Sequence, residues 1–158
     1  MAIERPEEAI LDGLKDHVKD NLDTYLTQIE TETTDGISLV DIRDHRVGEY
    51  SVEGLNSFPA LLYFPEDIGY AYLTTKSEEI TISINGILVV REAIKENAVR
   101  RLLRYVAGLR ALWDNDRTAG GVVDRVSITE VRFFAHIPGV DDRALAEVIM
   151  TATKEIQR

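Results

Sequence analysis

Three histidines, a charged cluster around Asp41, a glycine-rich link after Thr118 and a run of arginines are where this 158-residue chain could do chemistry. His17, His45 and His136 lie far apart, and none falls in an H-x-x-x-H or H-E-x-x-H spacing that would set two ligands on one helix face. No metal site is expected from them. His17 reads as a boundary residue on a helix, and His136 as a strand residue beside a turn at Pro138. In DIRDHR, Asp41, Asp44 and His45 are the residue types of a base and its orienter. A flexible charged loop making surface ion pairs fits them better, each pair worth up to about 1 kcal/mol. The TAGG segment, Thr118 to Gly121, lacks the Lys-Ser/Thr that completes a phosphate loop, and Val122 follows it. It reads as a turn. No G-x-S-x-G elbow is present. The chain has no cysteine, which removes disulfides, thiolate metal sites and a cysteine nucleophile. No catalytic residue, cofactor or metal is expected.

The arginines lead elsewhere. Arg100, Arg101, Arg104 and Arg110 form a basic stripe on one predicted helix, and Asp12, Asp16, Asp20 and Asp23 form an acidic one on another. One reading is a solvated face with arginine stems covering apolar area. The other is contact between subunits: opposite charges on different elements of one chain suit a head-to-tail ring. Twenty-eight acidic residues against 18 basic ones, net charge −10, oppose general nucleic-acid binding. The stretch MAIERPEEAILDG is acidic where a signal peptide would be basic, so no targeting segment is expected. No apolar run approaches the roughly 18 residues that span a bilayer, and a soluble chain is expected.

The elements that carry these residues follow from periodicity. Pro6 to about Thr31 is predicted as a helix. Pro6 suits its first turn, and Glu7 and Glu8 the positive end of its dipole. Ile10, Leu11, Leu14, Val18, Leu22, Tyr25, Leu26 and Ile29 make one apolar stripe, with Gly13 a slight weakness. Thr31 to Asn56 is predicted as an extended arm or loop, with a short strand around Ile37–Ile42. Phe58–Phe64 is predicted as a strand, PEDIG as a turn, and 65–75 as a loop or arm whose Tyr70–Thr75 part has β-favouring residues. Ser77–Val90 alternates as a strand, with Asn85-Gly86 a bend or bulge inside it. Arg91–Trp113 is predicted as a second helix, stopped at Asn115, that buries Ile94, Ala98, Leu102, Tyr105, Val106, Leu109, Leu112 and Trp113. Val122–Ile137 reads as a strand. Arg143–Ile156 mixes helix and strand formers, and the preceding PGVDD turn favours a strand. The expected fold is one α+β domain: a mostly antiparallel, twisted sheet of about four to six strands with two long helices packed on it.

This order of elements resembles the tail terminator and neck (tail-completion) proteins of tailed bacteriophages. The residues that carry the likeness are FPALLYFP, then ILVVREAIKENAVRRLLRYVAGLRALWDND, then GGVVDRVSITEVRFF followed by a turn and a last β-like segment. DIRDHRVGEYSVEG and EDIGYAYLTT depart from the pattern. The resemblance implies a hexameric ring that stops growth of the tail tube and joins it to the head, with tube and connector proteins as partners. DNA would pass through without being specifically bound, and an acidic lumen would repel its phosphates. The implied location is the virion, after assembly in the host cytoplasm. A cellular α+β adaptor that dimerises through the first helix, and a small enzyme with an unrecognised site, are the alternatives.

Overall fold

The computed structural model describes residues 2–48, 54–134 and 142–157. Helix α1 (Pro6–Glu32) is followed by strands β1 (Asp44–Val47), β2 (Ala60–Thr74) and β3 (Ser77–Arg91). Helix α2 (Lys95–Asn115) and strands β4 (Arg125–Phe134) and β5 (Arg143–Gln157) complete the order. The strands form one sheet in the order β1-β2-β3-β5-β4. The fold is α+β, and the sheet is mixed: β1 runs parallel to β2, and the other three pairings are antiparallel.

Both helices cover one face of the sheet. Alternation along β3 sends Ile80, Ile82, Ile84 and Leu88 into this core, and along β5 it sends Ala144, Ala146, Val148, Met150 and Ala152. The small alanines of β5 leave room for Leu102, Tyr105, Leu109 and Trp113 from α2. The other face carries a second, smaller cluster of Leu55, Ala60, Leu62 and Val89, with Phe58, Ile87 and Leu145 half-buried against it.

Glycines mark the closest approaches. A Cβ on Gly108 would sit 3.0 Å from Leu26 and 3.4 Å from Leu22, so the two helices meet there. Gly86 lies inside β3 with no break in register, pairing with Tyr63 on one side and Val148 on the other. A Cβ there would come within 3.1 Å of Met150 and 3.3 Å of the Val148 carbonyl. Asn85-Gly86 is therefore a packing device in a strand whose register is unbroken there, in place of a bulge.

Gly13 is also more than a weak helix position. A Cβ would fall 2.5 Å from Val122 Cγ1 in the link between α2 and β4. Gly13→Ala gains about 1 kcal/mol of helix propensity. It forces a displacement that costs about 1–3 kcal/mol, because Val122 is β-branched and stiff. The expected result is a net loss near 1 kcal/mol, read as a melting temperature lower by about 2–4 °C; a rise would mean that Val122 yields freely.

Several expectations need correcting. The strand expected at Ile37–Ile42 is absent; Leu39 and Ile42 plug the core from an irregular segment. The strand is Asp44–Val47, in the stretch read as a flexible charged loop, and it exists because Ala60–Tyr63 offers a parallel partner. PEDIG is no turn and 65–75 is no loop: β2 runs unbroken from Ala60 to Thr74 through a bulge between Pro65 and Asp67. A proline is tolerated there because β1 stops opposite Tyr63, leaving that side of the strand unpaired. The chain reverses at Thr75 and Lys76. Helix α2 starts at Lys95, so Ile94 is its N-cap and is 60% exposed, outside the core. Asn115 is the last residue of that helix, and Asp116 caps it. Residues 143–157 are a strand, as the turn before them suggested. His136, Pro138 and most of the PGVDD turn lie outside the described residues.

Candidate functional site

The histidines and the charged cluster do not converge. His17 sits between the helices, stacked on Trp113 with ring centroids 5.6 Å apart. Its Nε2 lies 3.5 Å from Asp116 Oδ2 without hydrogen-bond alignment. His45 turns toward the core, where Nδ1 meets the Tyr63 hydroxyl at 2.9 Å. Its Nε2 is buried without a hydrogen-bond partner. Burial holds the His45 ring at a pKa of about 4, helped by Lys19 and opposed by Asp44. Asp41 accepts from the Ile42 N–H at 2.9 Å, and burial raises its pKa. Asp44 pairs with Arg46 at 2.8 Å. Each of the three side chains is committed to a different neighbour, which is not the arrangement of a base and its orienter.

The TAGG link wraps around a carboxylate of its own chain. Asp116 accepts from the Thr118 hydroxyl at 2.9 Å, the Thr118 N–H at 3.2 Å and the Gly120 N–H at 2.8 Å. Those bonds, led by the Thr118 hydroxyl, lower the Asp116 pKa. Gly120 and Gly121 have φ of 69° and 93°, the left-handed turn that glycine permits. The donors that would meet a phosphate are occupied. Among the described residues no group of three or more His, Cys, Asp or Glu is placed to hold a metal ion. No helix in them is long and apolar enough to cross a membrane.

The arginine stripe has mostly found partners within the chain. Arg100 binds Glu96 one turn earlier at 2.9 Å. Arg101 donates to the Ser38 carbonyl at 2.6 Å, and its Nε lies 3.2 Å from Glu92 with the N–H pointing off that line. Arg104 forks onto Asp35, bonding Oδ1 at 3.0 Å and Oδ2 more closely still. That guanidinium lowers the Asp35 pKa to about 2. Arg110 is exposed and makes no ion pair among the described residues. On α1, Asp12 and Asp16 share Lys15 at 3.9 and 4.0 Å, while Asp20 and Asp23 are exposed to solvent. A neighbouring subunit that used Arg101 or Arg104 would have to displace an internal partner; Arg110, Asp20 and Asp23 carry no such cost.

The feature that periodicity did not reveal is the pair of sheet edges. Beyond Tyr63, β2 has β3 on one side and no strand on the other among the described residues. Phe64, Ile68, Tyr70, Tyr72 and Leu73 are all at least 37% exposed along it. The far edge is β4, where Phe133 and Phe134 are 42% and 45% exposed. Between the β2 edge and the start of α1 lies an apolar cavity of about 220 Å³ lined by Glu7, Glu8, Leu11, Pro65, Ile68 and Ile82. The Tyr70 hydroxyl donates to Glu7 at 2.7 Å beside it.

No family model matches the chain, and no curated protein shows significant sequence similarity to it.

Proposed function

We propose that this chain is a structural, ring-forming virion protein of a tailed phage, a tail terminator or neck component that caps the tail tube and joins it to the head. The observation that carries the reading is the pair of edges on opposite sides of one sheet that have no further strand among the described residues, each bearing exposed aromatic residues. Natural sheets blunt their free edges with charge, bulges or covering segments. Here β2 has bulges and Pro65 but keeps five large apolar side chains in solvent. Different patches on opposite sides make heterologous contacts, and such contacts close into rings when the rotation allows. Charge adds direction: the free part of β2 carries Glu66 and Asp67 with no basic residue, whereas β4 carries Arg125 and Arg132 against Glu130. No reactive group takes part. The ring's acidic surface would let DNA pass without holding it.

The test is the mass in solution by light scattering. The expected value is about six times the 17.8 kDa of one chain. Leu73→Lys on one edge and Phe133→Lys on the other should each lower that mass without altering the circular dichroism spectrum, because both side chains are exposed. A strict monomer at high concentration, inert toward tail tubes, would overturn the reading. A dimer held by α1 would favour a cellular adaptor instead.

A further inference from the structure

A second cavity, of about 330 Å³, opens where the segment before β2, the end of β3 and the first turns of α2 meet. Among the described residues its lining includes three arginines, Arg43, Arg91 and Arg101, with Asn56, Ser57 and Tyr105, and no Asp or Glu. That is an unusual concentration of positive charge in a chain of net charge −10. Arg91 is anchored by Asp142, which accepts from its Nε at 2.8 Å, and Arg101 lies against Glu92. Arg43 is exposed and has no ion pair among the described residues, so the cluster keeps one positive charge in excess.

The anchors also leave donors over. A guanidinium carries five N–H groups. Among the described residues Arg91 commits only its Nε, which leaves both terminal nitrogens over, and Arg43 commits no donor. The Tyr105 hydroxyl donates to the Val40 carbonyl at 2.6 Å and so serves as wall, not as donor. Planar forks of N–H donors, together with the neutral donors of Ser57 and Asn56, match clustered anionic oxygens. The volume lies in the range of small-molecule sites and far exceeds what a single carboxylate fills.

We infer that this cavity binds a small, multiply charged oxyanion, a phosphoryl compound or a polycarboxylate, between Arg43 and Arg91. Binding belongs to the single protomer and does not depend on ring formation. The test is titration calorimetry of the full chain at low salt with inorganic phosphate, pyrophosphate and citrate. Saturable binding at one site per chain is expected. Pyrophosphate binding tighter than citrate assigns the phosphoryl class, and the reverse order assigns the polycarboxylate. Arg43→Ala should weaken binding about tenfold, the loss expected for a charged hydrogen bond. Ser57→Ala should weaken it about threefold. Arg110→Ala, which removes an exposed charge elsewhere on α2, should change nothing. Arg43 is at the surface, so its variant should keep the wild-type melting temperature. Absence of saturable binding for all three anions would overturn the inference, as would equal weakening by Arg43→Ala and Arg110→Ala.

Discussion

Replacing Trp113 by alanine is expected to remove about 3 kcal/mol of stability. Trp113 is 2% exposed on α2 and stacks on His17 of α1. A buried indole removes roughly 150–250 Å² from water, which at about 25 cal/mol per Å² gives an upper estimate near 5 kcal/mol. Against this stands the indole N–H. Trp113 Nε1 is buried without a partner, and an orphaned donor costs about 1–3 kcal/mol that the alanine variant no longer bears. The net loss therefore falls at the low end of the about 3–5 kcal/mol range for such truncations. For a chain of this length it corresponds to a melting temperature lower by about 6–12 °C. Circular dichroism is the suitable readout, because the variant loses the only tryptophan. Trp113→Phe separates the two effects. It keeps most of the ring and deletes the orphan donor, so it should stay within about 1 kcal/mol of wild type. If Trp113→Phe proved as damaging as Trp113→Ala, the His17–indole stack and not burial would be what holds the helices together.

Much of this architecture was legible because burial imposes periodicity. The apolar stripe of α1, the alternation in β3 and the core-facing stripe of α2 each repeat at the spacing of their own element. Other features were legible only in three dimensions. Pro65, Asp67 and Gly69 are turn formers by local preference, yet they sit in a strand because an edge position needs no second partner. The charged Asp44–Val47 has no strand pattern of its own, and becomes a strand only because the start of β2 is free to pair with it. Gly13 and Gly86 look like weak points in their elements, and turn out to be where Val122 and Met150 approach. The candidate sites were the least legible. A free edge is defined by which strand is missing beside it. Arg43, Arg91 and Arg101 stand on three different segments; the arginine run singled out Arg101 alone of the three, together with Arg110 and with Arg100 and Arg104, which bind Glu96 and Asp35.

Acid should weaken the fold through His45 in a window above those of Asp35 and Asp116. The ring is held near a pKa of about 4 by burial, with Lys19 and Lys15 of α1 also opposing its charge and Asp44 and Asp16 favouring it. An unfolded histidine titrates near 6.5. Above about 6.5 the ring is neutral in both states and pH has no effect through it. Between about 6.5 and 4 the unfolded chain binds the proton and the folded chain resists it, so stability falls as pH falls. Below about 4 both states are protonated and the loss is complete. A displacement of that size corresponds to about 3 kcal/mol by linkage, and partial solvent contact reduces the expectation to about 2 kcal/mol. The Asp35 carboxyl, held at about 2 by Arg104, gives stability that is present above its ordinary range near 3.8 and lost on approach to 2. Asp116, also lowered, acts in the same direction on the acid side of that range. Neither overlaps the histidine window. The Asp41 carboxyl, raised by burial, takes up its proton more readily in the folded chain and opposes the histidine at the acid end, equally in wild type and variant. His45→Asn keeps a polar group facing the Tyr63 hydroxyl and has nothing to titrate. Urea midpoints of the variant should be nearly flat from pH 6.5 to 4, while those of the wild type decline. Parallel curves would show that the ring is solvated and that burial does not hold it neutral.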